Sequence, residues 1–90
     1  MLKVKFDFSK LRGKIKEKYD TIKAFSVDMQ LDYTTLSKKL NNVTDFTSSE
    51  IIKACYLLQI DIEEVDQYFF ISKVRKNELN ILNKLEKNAT

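Results

Sequence analysis

The chain has no histidine, no proline and no tryptophan, and only one glycine (Gly13) and one cysteine (Cys55) in 90 residues. Each scarcity excludes something. Without histidine, zinc centres and histidine-based acid–base catalysis are close to excluded, and neither a metal nor a cofactor is expected. A single cysteine forms no internal disulfide; Cys55 lies in the apolar stretch IIKACYLL and reads as a buried core thiol. Without proline, and with one glycine, a sheet-rich fold with many tight turns is disfavoured against helices joined by short polar connectors. No apolar run approaches a membrane span and no signal-peptide pattern opens the chain, so a cytoplasmic protein is expected. The carboxylates lack a partnered nucleophile, a base and a glycine-rich phosphate loop, so no enzyme and no small-molecule substrate is expected.

What is present fits one small soluble domain: 43% hydrophobic and 32% charged residues, enough for a modest core. The net charge of +3 is unevenly spread. Residues 1–19 carry seven Lys/Arg against Asp7 and Glu17, residues 20–44 balance, residues 45–70 hold Lys53 against six acids, and residues 71–90 are basic again. Such asymmetry fits one face turned to a polyanion and another turned away, or simply a solvated, lysine-rich surface.

Residues 2–8, LKVKFDF, alternate apolar and polar, the period of a short strand or extended arm. Ser9 is a candidate N-cap for a first helix over 10–19, with Leu11, Ile15 and Tyr19 on one face. Asp20 or Thr21 caps a second over 21–29, with Ile22, Phe25, Ser26 and Met29 inward. Asp32 caps a third over 33–41, held by Leu36 and Leu40. Thr47-Ser48-Ser49-Glu50 is a capping box that starts a fourth over 48–58. There Ile51, Ala54, Cys55 and Leu58 point inward, and Ile52 and Leu57 widen the stripe. Asp61 caps a fifth over 62–69, with Ile62, Val65 and Phe69 inward; its acids read as a solvated helix start. Tyr19, Tyr56 and Tyr68 read as packed residues. Residues 70–74 have strand character and could pair with the N-terminal stretch, within one chain or between subunits. Leu79, Leu82 and Leu85 suggest a short amphipathic helix or a frayed tail over 76–90, apart from a main domain at 1–75.

The second and third helices meet the physical needs of a helix-turn-helix. A steep crossing needs a small residue, Ser26; the turn needs an apolar plug, Leu31; the second helix needs core anchors, Leu36 and Leu40; its outer face must be polar. Residues 11 to about 69, with the stretches KAFS, TTLSKKLNN and FTSSEII, resemble the Cro/cI-type phage repressor family, in particular small Cro-like regulators of Gram-positive phages. The resemblance implies a compact, all-α, five-helix helix-turn-helix domain that binds operator DNA, usually as a homodimer and without a cofactor. By position it implies base contacts from Tyr33, Thr34 and Lys38, with Thr35 and Ser37 flanking them on bases or phosphates. Phosphate contacts are implied for Thr21 and Lys23 at the start of the second helix and for Asn41, Asn42 and Thr44 after the third. Three positions depart from the family: Gln30 where glycine is usual, Lys39 where an apolar residue is usual, and Leu40 where an acid is usual.

The leading expectation is therefore a sequence-specific double-stranded-DNA-binding transcriptional regulator, a Cro-like repressor of the bacterial nucleoid, whose affinity falls steeply with salt. The helix-turn-helix would be the reader and the basic chain ends the grip. The alternative is a protein-interaction module on the same fold, such as an antirepressor. The zero net charge of residues 20–44, with Asp28 and Asp32 near the expected phosphates, supports that alternative.

Overall fold

Five helices carry the chain in a computed structural model that describes residues 5–72. They are α1 (Ser9–Tyr19), α2 (Ile22–Met29), α3 (Tyr33–Leu40), α4 (Ser48–Leu58) and α5 (Val65–Phe69), the last entered through a 3₁₀ turn at Ile62–Glu64. Among the described residues there is no sheet, and the fold is all-α and helix-turn-helix-like. One isolated antiparallel bridge joins Phe6 to Ser72, and the Asp7 N–H donates to the Ile71 carbonyl at 2.6 Å. The described part of the N-terminal arm thus pairs within one chain. Leu2, Val4, Val74, the boundary at 75 and the tail over 76–90 lie outside the described residues.

Local chemistry sets the helix starts. Ser9 is the first helical residue of α1 and not its cap; the Asp7 carboxylate accepts from both the Ser9 N–H (2.9 Å) and its hydroxyl (2.6 Å). Thr21 caps α2 by accepting from the Ala24 N–H. Asp32 occupies the cap position of α3 but makes no side-chain cap bond. At α4 the capping box closes both ways: Thr47 Oγ1 accepts from the Glu50 N–H at 3.2 Å, and Glu50 Oε1 accepts from the Thr47 N–H at 2.8 Å.

The helix ends show the consequence of scarce glycine. Four non-glycine residues take positive φ: Asp20, Gln30, Asn42 and Gln59. Gln30 and Gln59 close α2 and α4 in the same left-handed way, each followed by an apolar residue. The N–H of Leu31 reaches back to the Ser26 carbonyl and that of Ile60 to the Cys55 carbonyl. A left-handed turn at such a residue costs roughly 1–2 kcal/mol relative to the right-handed helix.

The core sits where α1, α2, α4 and α5 meet. Leu11 and Ile15 from α1, Phe25 and Met29 from α2, Leu36 and Leu40 from α3, Ala54, Cys55 and Leu58 from α4, and Tyr68 and Phe69 from α5 are all buried. Burial pushes the Cys55 thiol pKa up, which keeps it protonated and inert at neutral pH. Three expected core residues are outside. Ile52 is 61% exposed, Tyr56 83% and Ile62 67%. On α4 Ala54, Cys55 and Leu58 are buried and Ile51 and Leu57 partly so, which leaves Ile52 and Tyr56 on the side turned outward. Ile62 falls in the 3₁₀ turn, where three residues per turn rotate it off the α5 inner face.

Ser26 is 3% exposed and its hydroxyl donates to the Lys23 carbonyl at 2.6 Å, so little room remains where α2 passes its neighbours. Ser26→Leu should destabilise the fold by about 1–3 kcal/mol through overpacking; a thermal melt matching the parent would count against that tight packing. A Cβ added at Gly13 would meet nothing within 4 Å. Gly13→Ala should therefore stabilise α1 by about 1 kcal/mol, seen as a melting temperature higher by about 4–8 °C.

Candidate helix-turn-helix interface

The turn between α2 and α3 is built without glycine. Gln30 sits at φ 59°, ψ 39°, and its N–H points to the Ser26 and Val27 carbonyls. A lysine from α4 braces it: Lys53 Nζ donates to Gln30 Oε1 at 2.8 Å and to the Met29 carbonyl at 3.3 Å. These charge-assisted bonds offset the backbone cost at Gln30. Leu31 packs against the core as the plug of the turn. Leu36, with no exposed surface, and Leu40, at 3%, then fix which side of α3 faces inward.

The outward side of α3 brings together Tyr33 (52% exposed), Thr34 and Lys38, with Thr35 and Ser37 half-buried beside them. Thr21 and Lys23 are exposed at the start of α2. Asn41 is exposed, but its amide is engaged on both sides: Oδ1 accepts from Arg12 at 2.9 Å and Nδ2 donates to Ser37 Oγ at 3.3 Å. Asn42 holds the arm. Its Oδ1 accepts from the Phe6 N–H and its Nδ2 donates to the Phe6 carbonyl, both at 2.8 Å, so the side chain expected on a phosphate mimics a strand partner instead. Thr44 is exposed and borders a cavity of about 370 Å³ into which Phe6, Phe8, Phe46, Phe69 and Phe70 also face.

Lys39 stands where the resembling family usually has an apolar residue, and like such a residue it is buried, at 8% exposed. Its ammonium lies 3.0 Å from Glu50 Oε1 and donates to the Asp45 carbonyl at 2.9 Å. Burial alone would raise the Glu50 pKa, but the Thr47 N–H and the Lys39 ammonium together hold that carboxyl below its ordinary value. One carboxylate thus caps α4 and anchors the end of α3. The signal was in the spacing: Lys39 lies three residues after Leu36 and beside Leu40, on the inner side of α3. Lys53 and its brace on the turn left no such trace, because that contact joins residues far apart in the chain.

The cations of α1 point to different places. Lys10 donates to Gln67 Oε1 at 2.7 Å and lies over the Tyr68 ring, and Lys18 donates to Gln59 Oε1 at 3.0 Å, so both reach toward α5 and the end of α4. Lys14 pairs with Glu17. Arg12 reaches Asn41, the residue that closes α3. Tyr19 donates to Asp28 Oδ2 at 2.8 Å; burial first, and that carboxylate second, raise its pKa.

The family described as "Protein of unknown function (DUF739)" matches residues 4–72. The chain belongs to this family. Its fold is similar to the solution structure of the modulator of repression (MOR) of the temperate bacteriophage TP901-1 from Lactococcus lactis. The TM-score is 0.68 and the identity 38%, over 78% of this chain and 95% of that one. No curated protein was found to match. Among the described residues no helix is long and apolar enough to cross a membrane. The DUF739 match ends at Ser72, the last described residue, so the family unit includes both the helix-turn-helix and the arm that Asn42 holds.

Lys39→Ala strips the Asp45 carbonyl and the Glu50 carboxylate of a donor and should cost about 1–3 kcal/mol in urea unfolding at neutral pH. The sign with pH follows from Glu50. Its folded pKa is depressed, so its stabilisation is present above the unfolded value of roughly 4.3 and is lost as pH falls through the folded value. The parent should weaken below that pH and Lys39→Ala should weaken less. Parallel pH profiles for the two would show that the ammonium does not hold the carboxylate.

Proposed function

We propose that this chain is a phage-type regulatory protein that modulates repression by docking its helix-turn-helix surface on another transcriptional regulator. The observation that carries this reading is the sparse positive charge on the outward side of α3. Lys38 is the one lysine or arginine exposed on α3, beside Tyr33, Thr34 and Ser37, while Asp28 and Asp32 are exposed at the end of α2 and in the turn. Operator affinity rests on several cations neutralising phosphates along one face. Here Lys10 and Lys18 are drawn toward α5 and the end of α4, and Asn42 is engaged by the arm. A half-exposed tyrosine amid neutral hydroxyls suits the core of a protein interface, which is rich in aromatics and poor in charge. The similarity to a phage modulator of repression supports the same direction.

Operator DNA is the second reading, and the exposed Thr34 and Lys38 favour it, being donors on a helix of the right kind for a major groove. On that reading the chain would act as a homodimer, because a single recognition helix gives little affinity.

Titration of the chain into a complex of operator DNA with a repressor encoded near its own gene separates the two. The proposal expects the repressor's hold on DNA to change, no retardation of the duplex by the chain alone at low salt, and a loss of about tenfold or more in the effect of Tyr33→Ala, in the range of an interface hot spot. Retardation by the chain alone that weakens steeply with salt would overturn it in favour of the second reading.

A further inference from the structure

The arm closes one side of a cavity that lies apart from the outward face of α3. About 370 Å³ of space is enclosed between the arm, the loop before α4, the start of α4 and the end of α5. Its rings are joined in a chain. Phe70 meets Phe6 edge-on, Phe6 is tilted on Phe8, and Phe46 stands edge-on to both Phe8 and Phe69. Phe8 and Phe69 are buried, whereas Phe6 and Phe46 are half-buried and Phe70 is half-exposed, so these three carry the accessible ring surface. The volume falls in the range of small-molecule pockets, about 300–1,000 Å³. An apolar cavity of about 150 Å³ already holds a benzene molecule.

The polar groups at its border are of two kinds. Some are engaged within the fold: the Asn42 amide serves the Phe6 backbone, and the Asp45 carbonyl accepts from Lys39. Others are open. Thr44 and Asp45 are exposed, and the Thr44 hydroxyl and the Asp45 carboxylate make no hydrogen bond or ion pair among the described residues. No lysine or arginine is among the described residues that line the cavity. The ammonium of Lys39, bonded to the Asp45 carbonyl, is itself paired with Glu50.

We infer that this cavity binds a small organic cation with an aromatic body, an arylalkylammonium. Its ring lies among Phe6, Phe46 and Phe70, and its ammonium donates to the Asp45 carboxylate, with the Thr44 hydroxyl as a second acceptor. A phenyl ring carries a negative face and a positive edge, so a further ring joins this chain edge to face, and a cation beside it is attracted to the faces. An anionic head would meet Asp45 with no free cation to answer it. A neutral head would leave that carboxylate to water and gain ring burial alone. The apolar wall thus supplies most of the attraction and the carboxylate selects the charge. None of Tyr33, Thr34 and Lys38 lines the cavity, so the inference stands whichever partner α3 meets.

The test titrates the full chain, labelled with nitrogen-15, with phenethylammonium, phenethyl alcohol and phenylacetate, which share a ring and differ in the head. Phenethylammonium should give saturable shifts of the amide signals of Phe6, Phe46 and Phe70, with a Kd on the order of 1 mM for a ligand of this size. The alcohol should bind more weakly and the carboxylate most weakly, while the signals of α2 and of Tyr33, Thr34 and Lys38 stay in place. Asp45→Asn, an exposed position that keeps the backbone carbonyl on Lys39, should weaken phenethylammonium by about two- to fivefold and leave the alcohol unchanged. Shifts that do not saturate, or that are as large at Ile52 and Tyr56 as at the cavity, would overturn the site. Equal binding of the three heads, or of the ammonium to parent and Asp45→Asn alike, would overturn the choice of a cation.

Discussion

A single buried ammonium ties α3 to the rest of the fold. Lys39 reaches from the last turn of α3 to the Asp45 carbonyl in the following loop and to the Glu50 carboxylate in the first turn of α4. Glu50 already closes the capping box on Thr47, so one carboxylate serves two elements. A buried ion pair is no guarantee of net stability, since desolvating both charges offsets much of their attraction. What it does supply is registration: the end of α3, the loop and the start of α4 meet only where all three bonds can form. Lys53 acts the same way at the other end of α3, holding the α2–α3 turn from α4. Two lysines, both directed inward or across, thus orient the face that α3 presents.

Cations are few on the outward side of α3, where Lys38 is the one exposed lysine or arginine, and those of α1 are dispersed, with Lys10 over Tyr68 and Lys18 on Gln59. The exposed side of α3 keeps Tyr33, Thr34 and Lys38, one cation among neutral polar groups. The chain belongs to the DUF739 family, and its fold is similar to that of a phage modulator of repression.

The lack of glycine shapes the connections. Four helix ends or loops take positive φ with Asp, Gln and Asn, and two of these side chains serve a second purpose. Gln30 offers its amide oxygen to Lys53, and Asn42 offers both its amide atoms to Phe6. A glycine at either place would relax the backbone and lose the contact. The arm is held to the loop after α3 by Asn42 and to the segment after α5 by the Phe6–Ser72 bridge. Five phenylalanines then stack edge to face or tilted between these pieces.

Sequence by itself determined the five helices, their order and most of the core. The signals are local: four-residue apolar spacing in α1, the capping box at Thr47, a small residue at 26 followed by an apolar plug at 31. Such features act within one or two turns of chain, and periodicity reports them faithfully. Only tertiary structure decided which half-apolar positions are covered. Ile52, Tyr56 and Ile62 carry the same apolar signal as their buried neighbours but face no partner among the described residues. It also decided the work of Lys39, Lys53 and Asn42, because each meets atoms that lie close in space through the packing of other elements. A side chain's charge is written in the sequence; whether that charge faces solvent, a phosphate or a buried carboxylate depends on what the fold sets against it.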